Sequence, residues 1–98
     1  MLVNIIKSCR EVVAICDSEL LGKSFEEDGF QLNIKENFYN GEKRTEQEVI
    51  QIIQDMKSED ATFNIVGKKS VQTAVKAGLI SEDSVRTIQG IPFALVFM

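Results

Sequence analysis

The chain has 98 residues, 44% of them apolar and 27% charged, a balance that excludes a disordered chain and fits one globular domain. Its 11 Lys and Arg stand against 15 Asp and Glu, a net charge of −4. A dedicated nucleic-acid binder usually carries a basic excess, so any RNA contact here must come from a local patch.

In chain order, residues 2–7 and 11–17 hold the short β-branched runs Leu2-Val-Asn-Ile-Ile6 and Val12-Val-Ala-Ile-Cys16 and read as a hairpin. Asp28-Gly29 is a type I′ turn dipeptide, because both central residues of that turn need positive φ. Phe30, Leu32 and Ile34 alternate with polar residues, and the turn sets Phe25 opposite Leu32. Phe38-Tyr-Asn-Gly-Glu42 reads as a turn with two aromatics, Phe38 buried and Tyr39 partly exposed. Thr45 and Glu48 form a capping box, and Val49, Ile52, Ile53 and Met56 continue at helical spacing, predicting a helix over about 45–57. Residues 62–66 read as a strand and 68–77 as a second helix. Gly78 ends that helix in the left-handed conformation, and Leu79 folds back on Ala74. Ser81 caps a short turn or helix, and residues 93–97 form the last strand.

The expected fold is α+β. One mixed β-sheet is built from N-terminal hairpins and a C-terminal βαβ-like unit, with two main helices on it. Residues 1–98 form a single domain.

Cys9 and Cys16 are the only cysteines, and there is no histidine. With Cys9 in the hairpin turn and Cys16 down the second strand, the two lie too far apart for a disulfide. Two free thiols and a reducing, cytoplasmic setting are expected. Without histidine, Cys16 lacks the usual general base for nucleophilic catalysis, and two cysteines at this spacing do not make a zinc site. No metal or cofactor is expected. No basic start precedes an apolar stretch and a cleavage site, so no signal peptide is expected. The most apolar run, residues 91–98, is far shorter than the roughly 20 residues of a membrane helix.

The best anion-binding candidate is the strand-to-helix passage Gly67-Lys68-Lys69-Ser70. Free N–H groups at a helix start bind anions, and Gly67 permits close approach of a ligand. If strands 62–66 and 93–97 are parallel neighbours, this turn lies at a carboxyl edge of the sheet, where ligands bind. It is not a P-loop, since Thr62 stands where that motif needs glycine. The solvated alternative is a plain pair of surface lysines. Tyr39 beside Lys43 and Arg44 suggests an aromatic stacking on an unpaired base near two cations. Asp17, Glu19 and Lys23 could form an acid–base cluster, and a small enzyme using Asp17, Lys23 and Glu42 needs those three side chains to converge. Charge is uneven. Residues 17–28 hold five acids against Lys23, whereas residues 67–78 hold Lys68, Lys69 and Lys76 with no acid, which suits RNA or a complementary protein.

The block Cys16-Asp-Ser-Glu-Leu-Leu-Gly-Lys-Ser-Phe25 resembles the opening of an archaeal family catalogued as domain of unknown function 424. Phe38-Tyr-Asn-Gly-Glu42, Asn64-Ile-Val-Gly67, the segment from Ala74 to Ile80, and Gly90-Ile-Pro92 continue the resemblance in order. It implies a small single-domain protein of a kind sometimes labelled predicted RNA-binding, and it brings no catalytic residue. Asp17, Gly22, Lys23, Tyr39, Gly41, Glu42 and Gly67 match the family pattern, whereas Lys68 replaces a residue that is often acidic. The leading expectation is a non-enzymatic RNA-binding or ribonucleoprotein-associated protein, with tRNA or ribosomal RNA as partner through Gly67, Lys68, Lys69, Ser70, Lys23, Tyr39, Lys43 and Arg44. The alternative is a protein-interaction module that uses residues 93–98, Phe93-Ala-Leu-Val-Phe-Met98, as an exposed edge strand for a partner or a second copy. No membrane association is expected.

Overall fold

The computed structural model describes residues 1–97. β1 (Leu2–Ile6) and β2 (Val12–Cys16) form the expected hairpin, with Leu2 opposite Cys16 and Ile6 opposite Val12. Cys9 is exposed in the connection, Cys16 is buried, and both are free thiols. β3 (Ser24–Glu27) and β4 (Phe30–Asn33) form a second hairpin with Phe25 opposite Leu32. Asp28 and Gly29 have φ of 52° and 84°, as a type I′ turn requires. These two strands make a small sheet of their own.

α1 (Glu36–Tyr39) is a single helical turn where a plain turn was expected. It lies against β1 and β2, and this reverses the expected exposure of the aromatic pair. Tyr39, at its end, is 7% exposed, and Phe38 is the half-buried one. Their rings meet edge to face at 5.0 Å. β5 (Glu42–Lys43) then pairs with β1.

α2 (Glu46–Lys57) begins at the capping box. The Glu48 N–H donates to Thr45 Oγ1 at 3.2 Å, and the Thr45 N–H donates to Glu48 Oε1 at 2.9 Å. β6 (Thr62–Val66) and α3 (Lys68–Lys76) follow. Past α3, Gly78 has φ of 77° and the Leu79 N–H donates to Ala74 O at 3.0 Å, closing the helix as expected. A 3₁₀ turn, Glu82–Ser84, has no side-chain cap from Ser81. β7 (Arg86–Ile88) and β8 (Ile91–Val96) complete the chain.

The main sheet has the strand order β5-β1-β2-β6-β8-β7. Among the described residues only β2 and β6 pair in parallel, Cys16 opposite Val66. The condition that β6 and β8 be parallel neighbours is not met: they are antiparallel, with Ile65 opposite Ala94. The reason is local. Gln89 and Gly90, with φ of 50° and 76°, reverse the chain after β7, so β8 returns between β6 and β7. The βαβ-like unit is therefore β6-α3-β7, split by β8. The expected edge strand is interior over its first half. Beyond Phe93, β8 extends past β7, so Ala94–Phe97 have no strand partner on that side among the described residues. Met98 lies outside the described residues.

Strand alternation divides the interior in two. Val3, Val13, Ile15, Phe63 and Ile65 face α2 and α3, meeting Val49, Ile53, Val71 and Ala74. Leu2, Ala14, Cys16 and Val66 face the other way, against Leu20, Ile34 and Tyr39. Each fully buried Ile or Phe contributes roughly 1.5–3 kcal/mol from burial. That supplies most of what holds the central strands between two layers.

Candidate functional site

The parallel pairing of β2 and β6 brings Asp17 beside Gly67, each one residue past its strand. The Asp17 N–H donates to Val66 O at 3.1 Å, and the Gly67 N–H donates to Pro92 O at 2.8 Å. The Asp17 side chain turns under the start of α3. Its carboxylate accepts the Lys69 N–H at 3.1 Å, the Ser70 N–H at 2.8 Å and the Ser70 hydroxyl at 2.7 Å. Asp17 is 4% exposed and Ser70 fully buried. The negative carboxylate thus sits at the positive end of the helix dipole, on the N–H groups expected to receive an external anion. α3 starts at a glycine, which offers no side-chain cap of its own. A carboxylate 52 positions away supplies it.

Several residues of the family pattern are fixed by similar geometry. Gly67 has φ of 109°, and a Cβ there would lie 2.3 Å from Asp17 Cγ. A Cβ on Gly41 would lie 2.0 Å from the carbonyl oxygen of Val3, so β5 can pair with β1 only with glycine at that point. Gly22 has φ of 82°, and its N–H donates to Ile34 O at 2.7 Å. Lys23 is exposed on the same turn, its carbonyl accepting the Ile34 N–H at 2.9 Å. Glu42 is exposed and forms an ion pair with Arg44, which also reaches Glu48 at 3.5 Å. Asp17, Lys23 and Glu42 are not assembled as an acid–base trio. The Asp17 carboxylate is engaged on backbone, and Glu42 lies opposite Val3, two strands from Ile15, roughly 10 Å away at ~4.8 Å per strand.

Cys16 is enclosed beneath β1 and Val66. Burial, reinforced by the charge of Asp17, pushes its thiol up to about 11. Burial likewise raises the Tyr39 phenol to about 12, with Cys16 adding a smaller push. Tyr39 is therefore a packed, neutral side chain and not an exposed stacking surface. Among the described residues, no three His, Cys, Asp or Glu side chains cluster to hold a metal ion, and no helix is long and apolar enough to cross a membrane.

Two surface features remain. Lys43, Leu2, Cys16 and Val66 form one lateral row across β5, β1, β2 and β6. Arg44 and Gly67 continue upward from the two ends of that row. Lys43, Arg44, Lys68 and Lys69 therefore share one sheet edge about 14 Å wide, at three strand spacings of ~4.8 Å. The cations of two separate sequence blocks lie at its two ends, and Lys43, Lys68 and Lys69 are exposed. The second feature is a groove of about 560 Å³ along the outer side of α3. Val71, Val75, Val85 and Pro92 line it together with Lys68, Gln72, Lys76 and Glu82, and Lys76 is paired with Glu46 at 2.7 Å. Sequence reading singled out the lysines but missed the groove, since Val85 and Pro92 reach it only through the β7–β8 reversal.

A mixed sheet with two helices on one face and a hairpin-bearing layer on the other defines a small α+β protein. Residues 6–98 match the model of the family described as protein of unknown function, DUF424, and the chain belongs to that family. It is similar to an uncharacterized conserved protein from Methanopyrus kandleri, known from its crystal structure. The two share 27% identity and superpose with a TM-score of 0.86, covering 98% of this chain and 89% of that one. No curated protein matches the chain.

Proposed function

We propose that the protein is a non-enzymatic RNA-binding or ribonucleoprotein-associated protein that contacts the RNA backbone through the sheet edge carrying Lys43, Arg44, Lys68 and Lys69. One observation carries this reading: four cations from two distant segments lie along one edge of a chain whose overall charge is −4. A local basic edge on an acidic molecule attracts phosphate there and repels it elsewhere, which gives the contact an orientation. The Asp17 carboxylate already holds the Lys69 and Ser70 N–H groups, so the lysine ammonium groups themselves make the contacts. Arg44 is partly neutralised by Glu42 and Glu48, leaving Lys43, Lys68 and Lys69 as the main contributors.

The test is binding to bulk tRNA and ribosomal RNA over a salt series. Three phosphate contacts predict a log–log slope of about −2 to −3. The double variant Lys68→Glu/Lys69→Glu should weaken binding and flatten that slope. Absence of binding at low salt overturns the reading.

A second reading has its own observation. Leu95 and Phe97 are 54% and 71% exposed beside the unpaired stretch of β8, a surface suited to strand addition by a protein partner. A partner held there should be lost on Leu95→Glu. One retained by that variant argues against this surface.

A further inference from the structure

On the sheet face away from the helices, the β3–β4 hairpin lies over β7 and β8 without closing on them completely. A cavity of about 280 Å³ remains, with Phe30, Glu27 and Asp28 on the hairpin side and Arg86, Ile88 and Phe93 on the sheet side. Register explains this lining. Phe30 stands opposite Glu27, and Arg86 stands opposite Phe93, so each pair shares one face of its strands. Phe25 and Leu32, on the same hairpin face as Phe30 and Glu27, pack into the layer that also holds Ile91 and Phe93. The hairpin is fixed there by Gln89. Its N–H donates to Glu27 Oε1 at 2.8 Å, and its Nε2 donates to the Glu26 carbonyl at 2.6 Å. The walls are set before any ligand arrives, which spares the ligand the cost of ordering them.

Rings, size and charge define what fits. Phe30 is 71% exposed and Phe93 half-buried, yet among the described residues the ring pair in contact is Phe38 with Tyr39. The two cavity phenylalanines leave a gap instead of closing on each other, and a flat ring gains stacking there. The volume falls just below the roughly 300–1,000 Å³ of pockets for drug-sized ligands, which suits one heterocycle rather than a whole nucleotide. Arg86 is exposed and forms no ion pair among the described residues, so its guanidinium donors are open to a ligand. Glu27 and Asp28 outnumber it, which disfavours a free anion and favours a neutral ring offering both acceptors and N–H donors. Guanine has that pattern: O6 and N7 accept from an arginine, and the amino group donates. The cavity also adjoins the basic edge. Phe93 pairs with Val66, the last residue before Gly67 and Lys68, at one strand spacing of ~4.8 Å. The acidic hairpin tip repels an RNA backbone, so a base enters only when it is unpaired and extends away from its phosphates.

We propose that this cavity seats one unpaired purine, guanine in preference to adenine, from an RNA whose backbone rests on Lys68 and Lys69. Phe30 and Phe93 stack on the base, Arg86 donates to its O6 and N7, and Asp28 accepts from its amino group. The proposal rests on the RNA reading and adds to it the feature of the RNA that is recognised.

The experiment measures the affinity of the whole chain for short RNA duplexes that are identical except for one bulged nucleotide, G, A, C or U, with a fully paired duplex as control. The bulged-G duplex should bind about tenfold or more tightly than the control, within the range of one base–aromatic stack. Phe30→Ala, checked for native circular dichroism, should remove that advantage and leave the control affinity and its salt slope unchanged. Arg86→Gln should bring bulged G down to the level of bulged A. Lys68→Glu/Lys69→Glu should weaken bulged and paired duplexes alike. Absence of binding to every duplex and to bulk RNA at low salt overturns the RNA reading and this proposal with it. Equal binding of bulged and paired duplexes overturns this proposal alone. So does a bulge preference that survives Phe30→Ala, or equal binding of bulged G and bulged A by the wild type.

Discussion

Asp17 and Gly67 touch so closely that a single carbon added to Gly67 would lie 2.3 Å from the Asp17 carboxyl carbon. The glycine leaves the space, the carboxylate fills it, and the first turn of α3 is built over the pair. An acid at the end of one strand and a glycine at the end of its parallel neighbour are thus two halves of one helix cap.

Removing the carboxylate should be expensive for its size. Asp17→Ala leaves the Lys69 and Ser70 N–H groups and the Ser70 hydroxyl without their acceptor, in a place water enters poorly. Loss of such caps and buried partners predicts about 2–4 kcal/mol of destabilisation in urea unfolding. Asp17→Asn keeps one acceptor oxygen and should lose about half as much. A loss below about 1 kcal/mol for Asp17→Ala would show that water replaces the carboxylate freely.

Two other glycines should separate steric from conformational demand. Gly41→Ala drives a methyl to 2.0 Å from the Val3 carbonyl oxygen, so β5 must leave β1, and the expected loss is about 3 kcal/mol or more. Gly78 has φ of 77° with open space around it. Gly78→Ala should lose only the left-handed backbone penalty of about 1–2 kcal/mol. Equal losses at the two positions would contradict this assignment.

The two thiols should differ sharply in reactivity. Cys9 is exposed and Cys16 has no exposure, so a thiol reagent should modify Cys9 in the native protein and Cys16 only on unfolding. The raised ionisations also set an alkaline limit. Folded Cys16 ionises near 11 rather than its ordinary 9.0, and Tyr39 near 12 rather than 10.0. The unfolded chain loses these protons first, so their contribution is complete below pH 9 and is lost as pH climbs from 9 to 12. Urea midpoints should fall across that window, and fall less for Cys16→Ala than for wild type.

At the acid end, the hydrogen bond from the Thr45 backbone holds the Glu48 carboxyl below its ordinary 4.5. The folded state favours the charged form, so this contribution is present above pH 4.5 and disappears as pH falls through the lowered value. Thr45→Ala, which removes the hydroxyl half of the box, should destabilise α2 by about 1 kcal/mol at neutral pH. Glu48→Gln should retain most of that stability and flatten the acid response, read by circular dichroism.

Elements with local signals were legible in the sequence. The Thr45–Glu48 box, the Asp28-Gly29 turn and the Gly78 helix end each encode their geometry within a few residues. The order of β6, β8 and β7 was not, because a two-residue reversal at Gln89-Gly90 decides it and the pairing it creates is remote. The burial of Tyr39 instead of Phe38 depends on how one helical turn lies on β1 and β2, which no periodicity reports. The role of Asp17 left a trace. A helix starting with Gly-Lys-Lys and lacking any Ser, Thr, Asp or Asn at its cap position requires an acceptor from elsewhere. The basic edge was legible as two lysine-rich or arginine-containing segments, but not as one surface.

The central parallel pair joins Val12 to Thr62, fifty residues later in the chain. The first hairpin can zip from local contacts, but the free side of β2 must wait for everything between. During synthesis that side emerges long before β6 does. Val13 and Ile15, fully buried in the finished fold, then stand uncovered on a strand paired only with β1. The nascent chain therefore passes through a stage in which its best-buried residues are its most adhesive ones; packing of α2 and α3 on that face ends the exposure, while pairing of β6 brings Gly67 and the start of α3 to Asp17.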